Sequence, residues 1–175
     1  MSCSTALQTI PTSCDPNSGG ILNIWLNNQD NITVATVGTP PDDWKIATLT
    51  VSSNYIAFDV RRNTANYTED TAVDLVNGST FVTQTINLMF HRRDKTKSEA
   101  INVLGAGQQY LSAVIRDAND IYWYFDYLQL TATGEGSGTA RADGSKYSVT
   151  LLAESDHLCY EIDSTLVVAP DFPAV

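Results

Sequence analysis

Apolar and polar residues alternate with a period of two along most of the chain, in short runs bounded by Gly, Pro, Asn or Asp. That pattern predicts strands half-buried on one face. Residues 21–26 follow the pair Gly19-Gly20, and residues 33–37 end at Gly38-Thr39-Pro40-Pro41, where a ladder cannot continue. Residues 46–51 set Ile46, Thr48 and Thr50 against Ala47, Leu49 and Val51. Residues 55–60 put Ile56, Phe58 and Val60 on one side. Ser52-Ser53-Asn54 between them reads as a hairpin turn. Residues 81–90 form the longest run, with Ile86, Leu88 and Phe90 on one face.

The period changes once. Thr96-Lys97-Ser98-Glu99 has the form of a capping box, Ala100, Ile101, Val103 and Leu104 follow on one helical side, and Gly105 and Gly107 stop the turn. A helix this short persists only when packed on a sheet. Residues 110–116 and 121–130 flank Asp117-Ala118-Asn119-Asp120, which reads as a hairpin turn, and residues 146–153 close the set. Residues 133–138 are glycine-rich and read as an exposed loop. Residues 62–78 are polar and acidic, and predict a long excursion or a poorly paired hairpin; a loop of that length usually has a purpose. The expected architecture is mainly β: a two-layer β-sandwich or barrel-like domain over residues 21–166, one short flanking α-helix, and extended arms at 1–20 and 167–175.

Composition narrows the chemistry. The 175 residues carry 20 acids and 10 bases, a net charge of −10. A protein that grips nucleic acid needs a basic face, so this balance argues against that role. Forty-three per cent apolar residues argue against disorder. No apolar run reaches the roughly 18 residues of a membrane helix, which predicts no membrane partner. The first residues show neither a basic leader nor a continuous apolar stretch, so no cleaved leader is expected. Cys3, Cys14 and Cys159 make an odd count without a Cys-x-x-Cys pair, and His91 and His157 have no ligand-spaced neighbours. Reduced thiols and no metal or other cofactor are expected.

Candidate catalytic patterns fail on spacing. Gly105-Ala106-Gly107 follows a helix rather than a strand and lacks the third glycine of a dinucleotide turn. The residues around Ser137 do not form a nucleophile elbow, and residues 134–138 are not followed by the Lys-Ser or Lys-Thr of a phosphate loop. Asp117 to Asp120 lacks the glycine and the distant Glu of a calcium loop. Asp42-Asp43 and Glu69-Asp70 are carboxylate pairs without an identifiable partner. No enzyme activity is expected. Tyr122-Trp123-Tyr124-Phe125 with Tyr127 makes both faces of one strand aromatic. Three readings stay open: a central strand covered on both faces, a subunit contact, or a ligand surface. Six of the ten bases lie at Arg61, Arg62 and within residues 92–97; such a cluster is a solvated patch or a contact with an acidic surface on another copy.

The order of these pieces resembles the tube-forming proteins of bacteriophage tails, a superfamily shared with the type VI secretion tube protein. The likeness lies in an acidic, Thr- and Asn-rich β domain that begins with an arm, carries the segment 62–78 after its early strands, and places one helix between a long strand and aromatic hairpins. Residues 142–151, Ala-Asp-Gly-Ser-Lys-Tyr-Ser-Val-Thr-Leu, share the look of phage major tail proteins. The resemblance implies a structural virion protein whose hexameric rings join their inner sheets into one barrel and stack into a tube for DNA ejection. It further implies assembly in the bacterial host cytoplasm and contacts with itself and with other tail or neck proteins. DNA would pass through without tight binding: six chains put about −60 on a ring, and a negative wall repels phosphates. The bases Arg61, Arg62, Arg92 and Arg93 are then candidate inter-subunit residues. Asn66, Glu69, Asp70 and Asp74 are candidates for an inter-ring loop. A neck or collar ring of a short-tailed phage and a carbohydrate-binding β-sandwich are the alternatives.

Overall fold

The protein is described by a computed structural model covering residues 9–40, 42–134 and 136–174. Ten strands and one α-helix follow in chain order: β1 (Ile21–Asn28), β2 (Ile32–Val37), β3 (Lys45–Val51), β4 (Ile56–Phe58), β5 (Ala65–Asp74), β6 (Ser79–His91), α1 (Lys95–Leu104), β7 (Leu111–Asp117), β8 (Tyr122–Gly134), β9 (Lys146–Ser155) and β10 (Tyr160–Ile162). The first sheet has the order β2-β3-β10-β8-β7-β1-β4, antiparallel except where β3 meets β10. The second runs β5-β6-β9 and continues onto the far half of β8. The fold is mainly β with one short helix, as the period-two pattern predicts.

A bulge at Tyr127 lets β8 serve both sheets. Leu111 faces Leu128 and Ala113 faces Phe125, so β8 carries one residue more than β7 across the same span. Tyr127 absorbs it at φ 50°, a left-handed conformation that disfavours a side chain and bends the strand. Up to Leu128 β8 pairs with β7 and, near its start, with β10; from Gln129 onward it pairs with β9.

Two cores result. Ile24 and Leu26 of β1, Ile86 and Leu88 of β6, Ile115 of β7, Phe125 and Leu128 of β8, and Val149 and Leu151 of β9 fill the first, against Ile101 and Leu104 of α1. The opposite face of the first sheet carries the second, made of Trp25, Ile46, Tyr55, Val114, Tyr124, Ile162 and Phe172. Neighbours such as Ile24 and Trp25 therefore point into different cores, as a strand buried on both faces requires.

Several expectations need correction. β3 and β4 do not form a hairpin: β3 pairs with β2, and β4 pairs with β1 through Ile24–Phe58 and Leu26–Ile56. Tyr55 explains the reroute. It is fully buried, its hydroxyl meets Ser112 Oγ at 2.5 Å and its ring stacks on Phe172 at 4.4 Å, which anchors the chain against β7. Residues 62–78 are not a loop. Ala65 to Asp74 pair residue by residue with Leu88 to Ser79 without a register shift. Only Ala65, Tyr67 and Glu69 alternate inward, and Thr71 and Val73 are exposed, so the strand shows no sustained hydrophobic alternation. The helix is capped by Asp94 rather than Thr96: Asp94 is extended, its Oδ1 accepts from Lys97 N at 2.9 Å, and Lys97 Nζ reaches Oδ2 at 2.7 Å. Val103 faces outward, not with Ile101 and Leu104.

The terminal segments differ from each other. Residues 1–8, most of the first half of the expected N-terminal arm, lie outside the described residues together with Cys3; residues 9–19 are exposed and lack regular structure. The segment expected as a C-terminal arm folds back on the first sheet, with Phe172 buried and Trp25 Nε1 donating to Pro173 O at 2.9 Å.

Candidate functional site

The aromatic strand resolves into two roles. Tyr124 and Phe125 are buried on opposite faces, Tyr122 stacks on Trp25 at 6.3 Å, and Trp123 packs at the first core. Trp123 Nε1 donates to Asp117 Oδ2 at 3.0 Å, while Asp117 Oδ1 accepts from Asn119 N and Ile121 N. One carboxylate thus holds both the β7–β8 turn and the indole. Within the chain, Tyr122 and Trp123 are half-buried and Tyr124 and Phe125 buried, on alternate faces of the strand. Tyr127 is different: the bend turns it outward, where it lies edge-on to the half-exposed Tyr110 at 5.8 Å. Burial pushes the Tyr124 phenol up to about 12.

The four arginines gather at one end of the second sheet. Because Ala65 faces Leu88 and His91 faces Lys146, the turn with Arg61 and Arg62, the β6–α1 connection with Arg92 and Arg93, and the start of β9 share that end. Lys95, Lys97, Arg141 and Lys146 join them, so eight of the ten bases form one pole. Arg93 lies over the Tyr147 ring at 4.2 Å. Arg92 has φ 61° and donates its N–H to Ser145 O at 2.7 Å. A cavity of about 590 Å³ opens beside this pole, between α1 and the ends of β8 and β9.

The four residues expected on an inter-ring loop separate. Asn66 and Asp70 project from the outer face of β5, and Asp74 ends the strand. Glu69 turns the other way: its Oε1 accepts from Cys159 N at 2.6 Å and from Gln84 Nε2 at 3.1 Å, and its Oε2 lies 3.3 Å from Cys159 Sγ. Burial, with Glu69 beside it, drives the Cys159 thiol well above the usual range, which disfavours the reactive thiolate. Among the described residues no group of three His, Cys, Asp or Glu side chains is placed to hold a metal ion, and no helix is long and apolar enough to cross a membrane.

Two features escaped the sequence reading. The β5–β6 turn, Asp74-Leu75-Val76-Asn77-Gly78, presents Leu75 and Val76 to solvent at 90% and 94% exposure. Asp74 Oδ1 accepts from Val76 N at 2.9 Å and Asn77 N at 3.1 Å, and Gly78 takes φ 68°. The Asn-Gly pair was the available signal. The second feature is β2, an end strand of the first sheet with only Ile32 partly covered and no charged residue between Ile32 and Val37. Its exposed edge carries no charge and no proline against pairing with another chain, although the register against β3 shifts between Ile32 and Val34 and between Thr36 and Val37.

No family model matches the chain, and no curated protein matches it. Among solved structures, Hcp1 from Salmonella typhimurium is similar at 13% identity and a TM-score of 0.38, over 80% of this chain and 98% of that one. A likeness at that level assigns no family.

Proposed function

We propose that this protein is a structural subunit that closes into hexameric rings and stacks into a tube, serving as the tail tube of a bacteriophage and a conduit for its DNA. The observation that carries the reading is the pair of open edges on the first sheet. β2 and β4 end the strand order, and β2 offers six uncharged residues to a neighbour. Joining copies edge to edge and closing the ring removes every such edge, which a lone chain leaves bare. The role is mechanical rather than catalytic.

The outer face of the second sheet suits a conduit wall. Its middle is Asn66, Thr68, Thr85, Asn87, Thr150 and the half-buried Leu152, uncharged and mostly polar, with Thr150 Oγ1 donating to Asn87 Oδ1 at 3.0 Å. In a molecule of net charge −10 such a surface gives phosphates nothing to hold. The edge contact is tested by replacing Val34 with Lys and Thr36 with Pro, both at exposed positions. Light scattering should find the parent chain as particles of about 115 kDa, six copies of the 19.1 kDa chain. The double variant should remain near 19.1 kDa with unchanged circular dichroism. Rings that persist in the variant would refute β2 as the joining edge.

A further inference from the structure

We infer that the β5–β6 turn of one copy seats in the cavity beside α1 of the next copy, forming the contact that stacks rings. The inference rests on the self-assembly reading above and adds to it a specific pair of surfaces. The turn is a preformed plug: the Asp74 carboxylate fixes its backbone, so presenting Leu75 and Val76 requires little further ordering on binding. Those two side chains are the most exposed large aliphatics on the β5–β6 hairpin, and none of the described residues covers them.

The cavity complements the plug in size, polarity and charge. Ile101, Leu130 and Tyr147 give it apolar walls, while Arg93, Asn102 and Thr133 add polar groups. Its volume of about 590 Å³ lies within the roughly 300–1,000 Å³ that encloses a drug-sized ligand, and a Leu-Val turn is no larger. The hairpin carries Asp70 and Asp74 and no Lys or Arg between Arg62 and Arg92, whereas the cavity opens at the basic pole. Head-to-tail contact therefore joins opposite charges, and either reversed arrangement sets like charges together.

The geometry also fixes the form of the assembly. Turn and cavity lie at opposite ends of β6, whose 13 residues span about 40 Å at ~3.3 Å each. The turn cannot reach its own cavity, and a head-to-tail contact directed along the strand, with no rotation that closes it, propagates as a stack. The axial repeat should be about 40 Å, one strand length.

Disulfide trapping tests the contact. In a Cys3→Ser, Cys14→Ser background, a Val76→Cys copy is mixed with an Asn102→Cys copy and oxidised. A seated turn should give at least about tenfold more crosslinked heterodimer than Val76→Cys mixed with Val168→Cys, an exposed position outside both contacts, because seating raises the effective thiol concentration. Leu75→Asp should leave rings of six while abolishing longer assemblies by light scattering. Rings that stack without the 76–102 crosslink, or stacks that survive Leu75→Asp, overturn this inference and leave the ring reading intact. A strong crosslink in chains that never close into rings overturns the ring reading instead. A chain that shows neither crosslink nor assembly overturns both.

Discussion

Replacing Phe172 with Ala separates a docked tail from a free arm. The ring is 5% exposed, stacks on Tyr55 at 4.4 Å with an interplanar angle of 15°, and meets Trp25 edge-on at 5.9 Å. Removing a buried Phe costs about 3–5 kcal/mol, of which each aromatic pair accounts for roughly 0.5–1.5 kcal/mol. Phe172 sits in a segment without regular secondary structure, where relaxation is easy, so the lower figure of about 3 kcal/mol applies. For a chain of this size that is a fall in Tm of about 6–12 °C, and with a urea m-value of about 2 kcal/mol per molar it is a midpoint shift of about 1.5 M. Urea unfolding followed by circular dichroism reads the shift. Trp25 fluorescence should change in parallel, because its indole loses both the ring contact and the register of its bond to Pro173 O. A loss below about 1 kcal/mol would refute the argument and return residues 167–175 to the status of an arm.

Asp126 is pushed up by burial, with His157 pulling the other way. The native state therefore holds its proton to higher pH than the unfolded chain, and stability falls as pH rises from the unfolded carboxylate value through the native one. Asp126→Asn should raise the Tm at pH 7 and leave it unchanged at pH 3; a lower Tm at pH 7 contradicts this. Tyr127→Gly removes the left-handed penalty at φ 50° and should stabilise by about 1 kcal/mol in urea titration; destabilisation would mean that its contact with Tyr110 outweighs the strain. In a Cys3→Ser, Cys14→Ser background, Ellman's reagent should leave Cys159 unmodified until urea unfolds the chain, and prompt labelling would show that the bonds from Glu69 do not persist in solution.

The strand alternation, the single helix and the aromatic strand were legible because each is a local pattern: Ile86, Leu88 and Phe90 do face one core, and Tyr124 and Phe125 do face two. Pairing was not legible. Ser52 to Asn54 looks like a hairpin turn, yet what decides the route is Tyr55 reaching Ser112 and Phe172, residues 57 and 117 positions away. β5 was missed because its short inward face includes Glu69, which is accommodated by the backbone N–H of Cys159, 90 residues distant, and by Gln84 Nε2. The arginine pairs were visible as a cluster in sequence, but Arg141 and Lys146 joined that pole only through the β6–β9 register. The edge of β2 and the Leu75-Val76 turn looked like ordinary strand and loop, since sequence does not say which strand ends a sheet.

The measurement closest to the central claim is electron microscopy of the purified chain across a concentration series, with two-dimensional averaging. The account predicts six-fold rings that, as concentration rises, stack into hollow tubes with an axial repeat of about 40 Å. Particles of one chain at every concentration, or closed rings of another symmetry, would contradict it.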